Sequence, residues 1–285
     1  MKLKIAGCVI LYHPQMDAID NILSYIDHVE CLYIINNGGG ETVTAKFVND
    51  PKVKIIRHKE NKGIAYSLNE VLQAIVNEYD LLLTMDQDSR FLADSIKKYV
   101  DACDEIVWNT TLALGAKIIA AGTDIDIVEN VEWEKAENMI TSGNLISVKN
   151  ALAIGGFDEA LFIDEVDSDF IYRGRENELT VLYNKCGIYL AHTVGRPEYH
   201  SFLGHLTKVQ NHNKIRKYYM FRNRFVVLKK HFRVIGLRRA WNYYIKANIS
   251  LIRDTLFFED DTLGKLQYMM MGFIDFWCGR LGKRF

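Results

Sequence analysis

LLLTMDQDSRF, residues 81–91, changes character midway: an apolar run stops at two carboxylates, Asp86 and Asp88, one residue apart. The run reads as a buried strand. Alternate side chains of a strand share a face, so Asp86 and Asp88 point the same way with about 6–7 Å between their Cα atoms. Like charges so placed resist ionisation unless a cation joins them. A turn that ends the strand and caps the next helix accounts for the same letters. The rest of the chain has to separate a metal seat from a turn.

Working outward, KIAGCVILY (4–12), ECLYIINN (30–37) and KVKIIRH (52–58) are further strand-like runs, alternating with helical stretches near 18–28, 41–49 and 63–77. Such a βαβ rhythm predicts a parallel sheet with helices on both faces and ligands at the carboxyl ends of the strands. The loops there are YHPQ (12–15), NNGGGE (36–41), HKENKG (58–63) and DQDSR (86–90). The glycines at 38–40 read as a flexible turn. Downstream the pattern is less regular, with single strands expected at LALGAKII (112–119), TSGNLISV (141–148) and TVLYNKCGIYLAH (180–192), then helices to the end. No internal repeat or low-complexity segment interrupts it.

The 285 residues, 49% hydrophobic and 25% charged, suffice for one sizeable core with an appendage or for two small domains. The formal charge of −1 conceals an asymmetry. Residues 1–205 carry 18 Lys and Arg against 31 Asp and Glu, whereas residues 206–285 carry 17 against 5. We therefore expect an acidic body at 1–205 and a basic helical region at 206–285 that meets an anionic partner or forms a dimer face. Five scattered cysteines suit a reducing cytoplasm and argue against a zinc site or a disulfide framework. The amino-terminal MKLKIAGCVILYHP reads as a first strand rather than a secretory signal, and no run of 18 apolar residues is present.

Eight landmarks in order, IAGCVILYHP, INNGGG, ENKGIAYSLNEVL, LLTMDQDSRF, TSGNLIS, GGFDEALFIDEVDSDFIYR, LAHTVG and RKYYMFRN, span residues 5–223. In this the sequence resembles the glycosyltransferase family 2 enzymes, and most closely their rhamnosyltransferase-like branch. The resemblance implies an α/β protein of GT-A fold, a Rossmann-like mixed sheet with flanking helices, plus a C-terminal helical region. It also implies a nucleotide-sugar donor, dTDP- or UDP-linked, and a divalent cofactor, Mg²⁺ or Mn²⁺, on a DXD motif. On that basis Asp88 is the direct metal ligand, Asp86 lies near the ribose or binds the metal through water, and His192 completes the metal or diphosphate site. Tyr12, Pro14, Asn36, Asn37, Asn61 and Gly63 match positions that hold base and ribose, although the family usually has Asp where this chain has Asn36.

The same resemblance places Arg216, Tyr219, Arg222 and Asn223 beside the active-site mouth, facing the donor diphosphate, and Gly143, Asn144 and Asp169 on the acceptor side. Six residues before Arg173 lies Asp167, the expected catalytic base, with Asp164 as the next candidate. Gln87 and Ser89 are expected to shape the turn, and Asn69 to be structural. A divalent ion neutralises a departing diphosphate, and a carboxylate takes the proton of the attacking hydroxyl.

The expected activity is thus an inverting, metal-dependent transfer of a sugar, best fitted by L-rhamnose from dTDP-rhamnose. The acceptor is a saccharide or a polyprenyl-diphosphate-linked saccharide in cell-surface polysaccharide synthesis. Residues 206–285 mix basic with aromatic residues, as interfacial helices do, so we expect a cytoplasmic protein peripheral to the inner face of an anionic membrane, binding no nucleic acid. A UDP-hexose or UDP-galactofuranose donor is the near alternative. A nucleotidyltransferase lacks its Gly-rich phosphate loop here, and a non-enzymatic adaptor built on the basic region leaves the acidic body unexplained. The absence of a QxxRW stretch argues against a processive synthase.

Overall fold

In a computed structural model, which describes residues 2–120, 122, 123, 126, 128–192, 198–202 and 204–285, the first half follows the expected rhythm. β1 (Ile5–Leu11), α1 (Ala18–Leu23), β2 (Cys31–Asn36), α2 (Glu41–Thr44), β3 (Val53–Arg57), α3 (Ile64–Ile75) and β4 (Leu81–Asp86) succeed one another. β1 pairs in parallel with β2 and β4, and β2 with β3. Because strand side chains alternate, the run in β1 serves two cores. Ala6 and Cys8 join Ala65, Leu68 and Leu72 of α3 on one face. Ile5, Val9 and Leu11 join Ile22 and Val43 on the other. Burial on both faces is why β1, β2 and β4 are apolar almost throughout, whereas the edge strand β3 carries Lys54 and Arg57.

The second half departs from a purely parallel sheet. It comprises β5 (Ser89–Phe91), α4 (Ser95–Ala102), β6 (Thr111–Gly115), β7 (Lys117–Ala120), β8 (Glu132–Lys135), β9 (Asn144–Ser147), α5 (Val148–Ala153), α6 (Val166–Glu176), β10 (Thr180–Cys186) and β11 (Tyr189–His192). β9 runs antiparallel between β4 and β6, and β8 antiparallel to β10. The result is an eight-stranded mixed sheet of order β3-β2-β1-β4-β9-β6-β10-β8 beside a small sheet, β5-β11-β7.

Two segments expected as single strands each divide between these sheets. LALGAKII breaks at Ala116, whose amide turns aside to donate to the Gly143 carbonyl at 3.2 Å. TVLYNKCGIYLAH breaks at Gly187, where φ is +94° and a Cβ would lie 2.4 Å from the Asn130 carbonyl oxygen. Only glycine fits that corner. The division brings β11 antiparallel to β5, with His192 opposite Ser89.

β12 (Glu198–Phe202) and β13 (His205–Val209) form a hairpin, followed by α7 (Lys214–Arg239), a π-helical turn at Ala240–Ile245, α8 (Lys246–Phe257) and α9 (Thr262–Trp277). The division expected between residues 205 and 206 falls inside β13. Val227, Ile235, Ala240 and Tyr244 enter the core shared with α3 and α6, so the basic helices cover one face of the sheet. All five cysteines are free. Among the described residues, no helix is long and apolar enough to cross a membrane.

Candidate active site

Asp86 is the last residue of β4, at the rim where the parallel strands end, and its amide donates to Ser142 Oγ at 3.0 Å. The next residue, Gln87, clasps the loop after β1: the Tyr12 amide donates to Gln87 Oε1 at 2.8 Å and Gln87 Nε2 donates to the Tyr12 carbonyl at 3.2 Å. Ser89 Oγ lies 2.7 Å from His192 Nδ1, which fixes the ring, and Asp88 Oδ1 lies 3.5 Å from the same nitrogen. Gln87 and Ser89 thus shape the site as expected. One ligand atom from each of Asp86, Asp88 and His192 falls within 4.8 Å of the other two.

Burial pushes the Asp86 carboxyl up to about 7, with repulsion from Asp88 and Asp167 adding to it and Arg216 opposing it. Burial also raises Asp88, against the pull of His192. Two half-buried carboxylates with one imidazole are a hard, oxygen-rich donor set that is electrostatically incomplete without a cation. These residues fit Mg²⁺ or Mn²⁺.

The second acidic element faces the first. Phe162, Asp164 and Glu165 all have positive φ (66°, 61° and 63°), three left-handed non-glycine residues within four positions. Each such residue costs about 1–3 kcal/mol, so the loop persists only because its surroundings hold it. Asn223 Nδ2 donates to the carbonyls of Leu161, Ile163 and Asp164 at 2.8, 2.7 and 3.0 Å. Arg222 donates to those of Ala160, Leu161 and Gly282.

Arg216 pairs with Asp164 at 3.4 Å, and Asp164 Oδ2 is buried with no hydrogen-bond partner. Asp167 stands in the first turn of α6. Burial pushes its carboxyl up to about 6, against hydrogen bonds from the backbone amides of Ser168 and Thr141 and with repulsion from Asp164. Burial lifts Glu165 to about 7, with Arg224 opposing. A carboxyl poised near neutrality beside a metal seat has the form of a general base.

A family model described as "Glycosyl transferase family 2" matches residues 17–160, just over half of the chain. The chain belongs to glycosyl transferase family 2. The dTDP-rhamnosyl transferase RfbF of Shigella flexneri is 24% identical over 245 residues, 81% of either chain. Among solved structures, S. aureus TarS 1-349 superposes with a TM-score of 0.61 at 13% identity, covering 96% of this chain and 81% of that one. GalNAc-T7, crystallised with UDP, GalNAc and Mn²⁺, gives 0.60 at 12% identity, covering 96% of this chain but 56% of that one. The fold is GT-A and the protein is a glycosyltransferase. The nucleotidyltransferase and adaptor alternatives fall with that assignment.

Within this family 2 enzyme, several residues expected at the donor serve the scaffold instead. Asn36 is buried and accepts from the amides of Gly38 and Gly40, both at 3.0 Å, so it shapes the glycine turn. Asn37, also buried, donates to Asn61 Oδ1 at 2.9 Å and accepts from the Lys62 amide at 2.9 Å. With Asn61 accepting from the Gly63 amide, Asn37 and Asn61 stitch two rim loops together. Gly63 (φ +85°) is approached by Phe162, whose carbonyl oxygen would lie 2.6 Å from a Cβ and already caps the Ile64 amide at 3.0 Å. Tyr12 stays exposed and Pro14 half-exposed at the rim, so these remain free to meet a nucleotide.

Tyr219, Arg222 and Asn223 are buried and hold the acidic loop and the C-terminal residues; of the α7 set only Arg216 reaches the acidic groups. Asp169 is fully enclosed. Against its burial, the hydrogen bond from His231, the charge of Arg173 and contact with Lys230 hold its carboxyl at about 2. It ties α6 to α7 and presents nothing to an acceptor. Gly143 (φ +76°) is needed because a Cβ would meet Leu190 at 2.6 Å, while Asn144 donates to the Ile140 carbonyl at 2.7 Å. Asn69 pairs with the backbone of Phe157, as a structural residue should. Local sequence signals the supply of polar groups at these places but not their partners. Ser142, the acceptor for the Asp86 amide, went unnoticed, its only signal being its place in TSGNL.

Proposed function

We propose that this glycosyltransferase is an inverting enzyme that moves L-rhamnose from dTDP-rhamnose onto a saccharide, free or carried on a polyprenyl diphosphate. The observation that carries the reading is the convergence of Asp86, Asp88 and His192, one ligand atom of each within 4.8 Å of the others, with Asp167 at the head of α6 within electrostatic reach of Asp86. Asp86, Asp88 and His192 would hold a divalent ion, which supplies charge neutralisation for the departing diphosphate. Asp167 takes the proton of the acceptor hydroxyl as its oxygen bonds to the anomeric carbon. The bond from that carbon to the diphosphate oxygen breaks on the opposite side, so configuration inverts. Arg216, beside Asp164, adds positive charge at the same mouth.

The similarity to a dTDP-rhamnosyl transferase supports the donor, and Mn²⁺ with UDP in GalNAc-T7 supports the ion and a nucleotide diphosphate. UDP-GlcNAc bound to TarS favours a second reading in which the donor is a UDP-sugar. A membrane-borne acceptor is supported by the basic helices and by the outward apolar row Leu263, Met270, Ile274 and Trp277 on α9. In this reading the protein acts at the cytoplasmic face of an anionic membrane. Hydrolysis of dTDP-rhamnose, UDP-galactose, UDP-GlcNAc, UDP-galactofuranose and GDP-mannose, each with Mg²⁺ or Mn²⁺, tests the reading. We expect dTDP-rhamnose to turn over fastest; preference for a UDP-sugar selects the second reading.

A further inference from the structure

A cavity of about 530 Å³ opens among β8, the start of α6 and the π-helical turn after α7. Its size falls within the roughly 300–1,000 Å³ of sites that enclose a small organic ligand. It adjoins the acidic centre: Ser142, which holds the Asp86 amide, and Glu165 and Ser168, which flank Asp167, form part of its wall.

The order of strands says which substrate it would take. β1, β2 and β3, whose loops carry Tyr12 and the asparagine stitching, lie to one side of β4, and β9, β6, β10 and β8 lie to the other. The cavity draws on that second side, through Glu134 of β8, Asn144 of β9 and Tyr183 of β10, and on no residue before Ala116. A donor whose base rests near Tyr12 and whose diphosphate meets Asp86 and Asp88 leaves this space for the second substrate.

The lining indicates the chemistry. Tyr172 and Tyr244 join hydroxyls at 3.2 Å, and Tyr183 accepts from the Ile118 amide at 3.0 Å, so these three rings are a set wall. Tyr243 differs: its ring is 64% exposed, with the Arg239 guanidinium 5.3 Å from its centroid. Arg239 is in turn paired with Glu137. An aromatic face beside a mutually neutralised carboxylate and guanidinium suits a ligand with apolar C–H faces and many hydroxyls and no charge of its own.

We propose that this cavity seats the acceptor as a neutral saccharide, one sugar ring lying on Tyr243 with its hydroxyls shared between Glu137 and Arg239. The proposal rests on the donor reading above, so its test separates the two substrates. With the donor that the hydrolysis panel selects, transfer would be measured to p-nitrophenyl glycosides of L-rhamnose, D-glucose, D-galactose and N-acetyl-D-glucosamine, alongside donor hydrolysis without acceptor. We expect one glycoside to saturate the enzyme. Tyr243→Ala and Glu137→Gln should raise its KM about tenfold, Tyr243→Phe should stay near wild type, and donor hydrolysis should stay within about twofold in all three. An unchanged KM in both Tyr243→Ala and Glu137→Gln overturns the proposal, as does saturation only by a polyprenyl diphosphate that bears no sugar. Failure of the wild-type protein to hydrolyse any donor of that panel would instead overturn the donor reading.

Discussion

Asn223 Nδ2 donates to the Asp164 carbonyl at 3.0 Å, joining a residue buried in α7 to the backbone of the strained acidic loop. With its bonds to Leu161 and Ile163, the one amide satisfies three carbonyls around residues whose φ is positive. Asn223 therefore holds the backbone that carries Asp164, and we expect it to position Asp164 and Asp167 without meeting substrate.

Replacing it tests that role. Asn223→Ala takes a donor from three carbonyls, of which that of Leu161 keeps Arg222, at a cost of about 1–3 kcal/mol of stability, and lets the loop relax out of its left-handed geometry. We expect a lower melting temperature and a fall in kcat of about tenfold or more, with donor affinity changed far less. A fall in donor affinity matching that in kcat would instead mean that Asn223 touches the nucleotide.

Metal dependence is the second expectation. EDTA should abolish turnover, with Mn²⁺ or Mg²⁺ restoring it. Asp88→Ala should remove the metal-dependent part of donor binding, measured by calorimetry with and without the ion. The Asp88 side chain is 43% exposed and its charge raises the Asp86 carboxyl, so relief of that repulsion should leave the metal-free melting temperature unchanged or higher. Undiminished turnover in EDTA would sink this expectation.

The pH dependence is expected to follow the proposed base, Asp167. A base works deprotonated, so with its carboxyl at about 6, kcat should fall about tenfold per pH unit below that value and level off above it. The stability sign is opposite. The folded state holds this proton more tightly than the unfolded chain, so Asp167 costs stability as pH rises from about 4 to about 6. Asp167→Asn should flatten the acid limb and lower transfer by about 10² or more, while keeping donor affinity within a few-fold. If Asp164→Asn alone does this, Asp164 is the base.

The apolar row on α9 gives a surface prediction. Leu263, Met270, Ile274 and Trp277 fall on one helix face and point outward, with Leu263 84% and Trp277 70% exposed. Co-sedimentation with anionic vesicles should be strong at low salt and should weaken as salt screens the basic helices. Leu263→Glu, Ile274→Glu and Trp277→Glu together should abolish it while sparing donor hydrolysis. Should wild-type protein ignore the vesicles and elute as a dimer that the triple variant breaks, the row is a subunit interface. Truncation is the wrong tool, because Ile235, Ala240 and Tyr244 lie in the main core.

Much of the scaffold and the outline of the site can be read from residue order alone. Apolar runs give β1 to β4, and the run that stops at Asp86, with Asp88 in the turn that follows it, places two carboxylates at the carboxyl end of a strand, because strand geometry is local. The acidic stretch at 164–169 is legible as a supply of carboxylates, but its left-handed residues and the entry into α6 depend on Asn223 and Arg222 from α7. What local order leaves open is the partner of each polar group. Asn36, Asn37, Asp169, Arg222 and Asn223 look like ligand-binding residues until the fold supplies neighbours for them, some more than fifty positions away: Lys230 and His231 for Asp169, and the 160–164 carbonyls for Asn223. The breaks at Ala116 and Gly187 belong to the same class. A hydrogen bond from the Ala116 amide to the Gly143 carbonyl and the nearness of Asn130 decide them, and that decision carries His192 to Asp86 and Asp88. Burial then does what no local pattern encodes: it raises Asp86, Glu165 and Asp167 towards neutrality by taking water away.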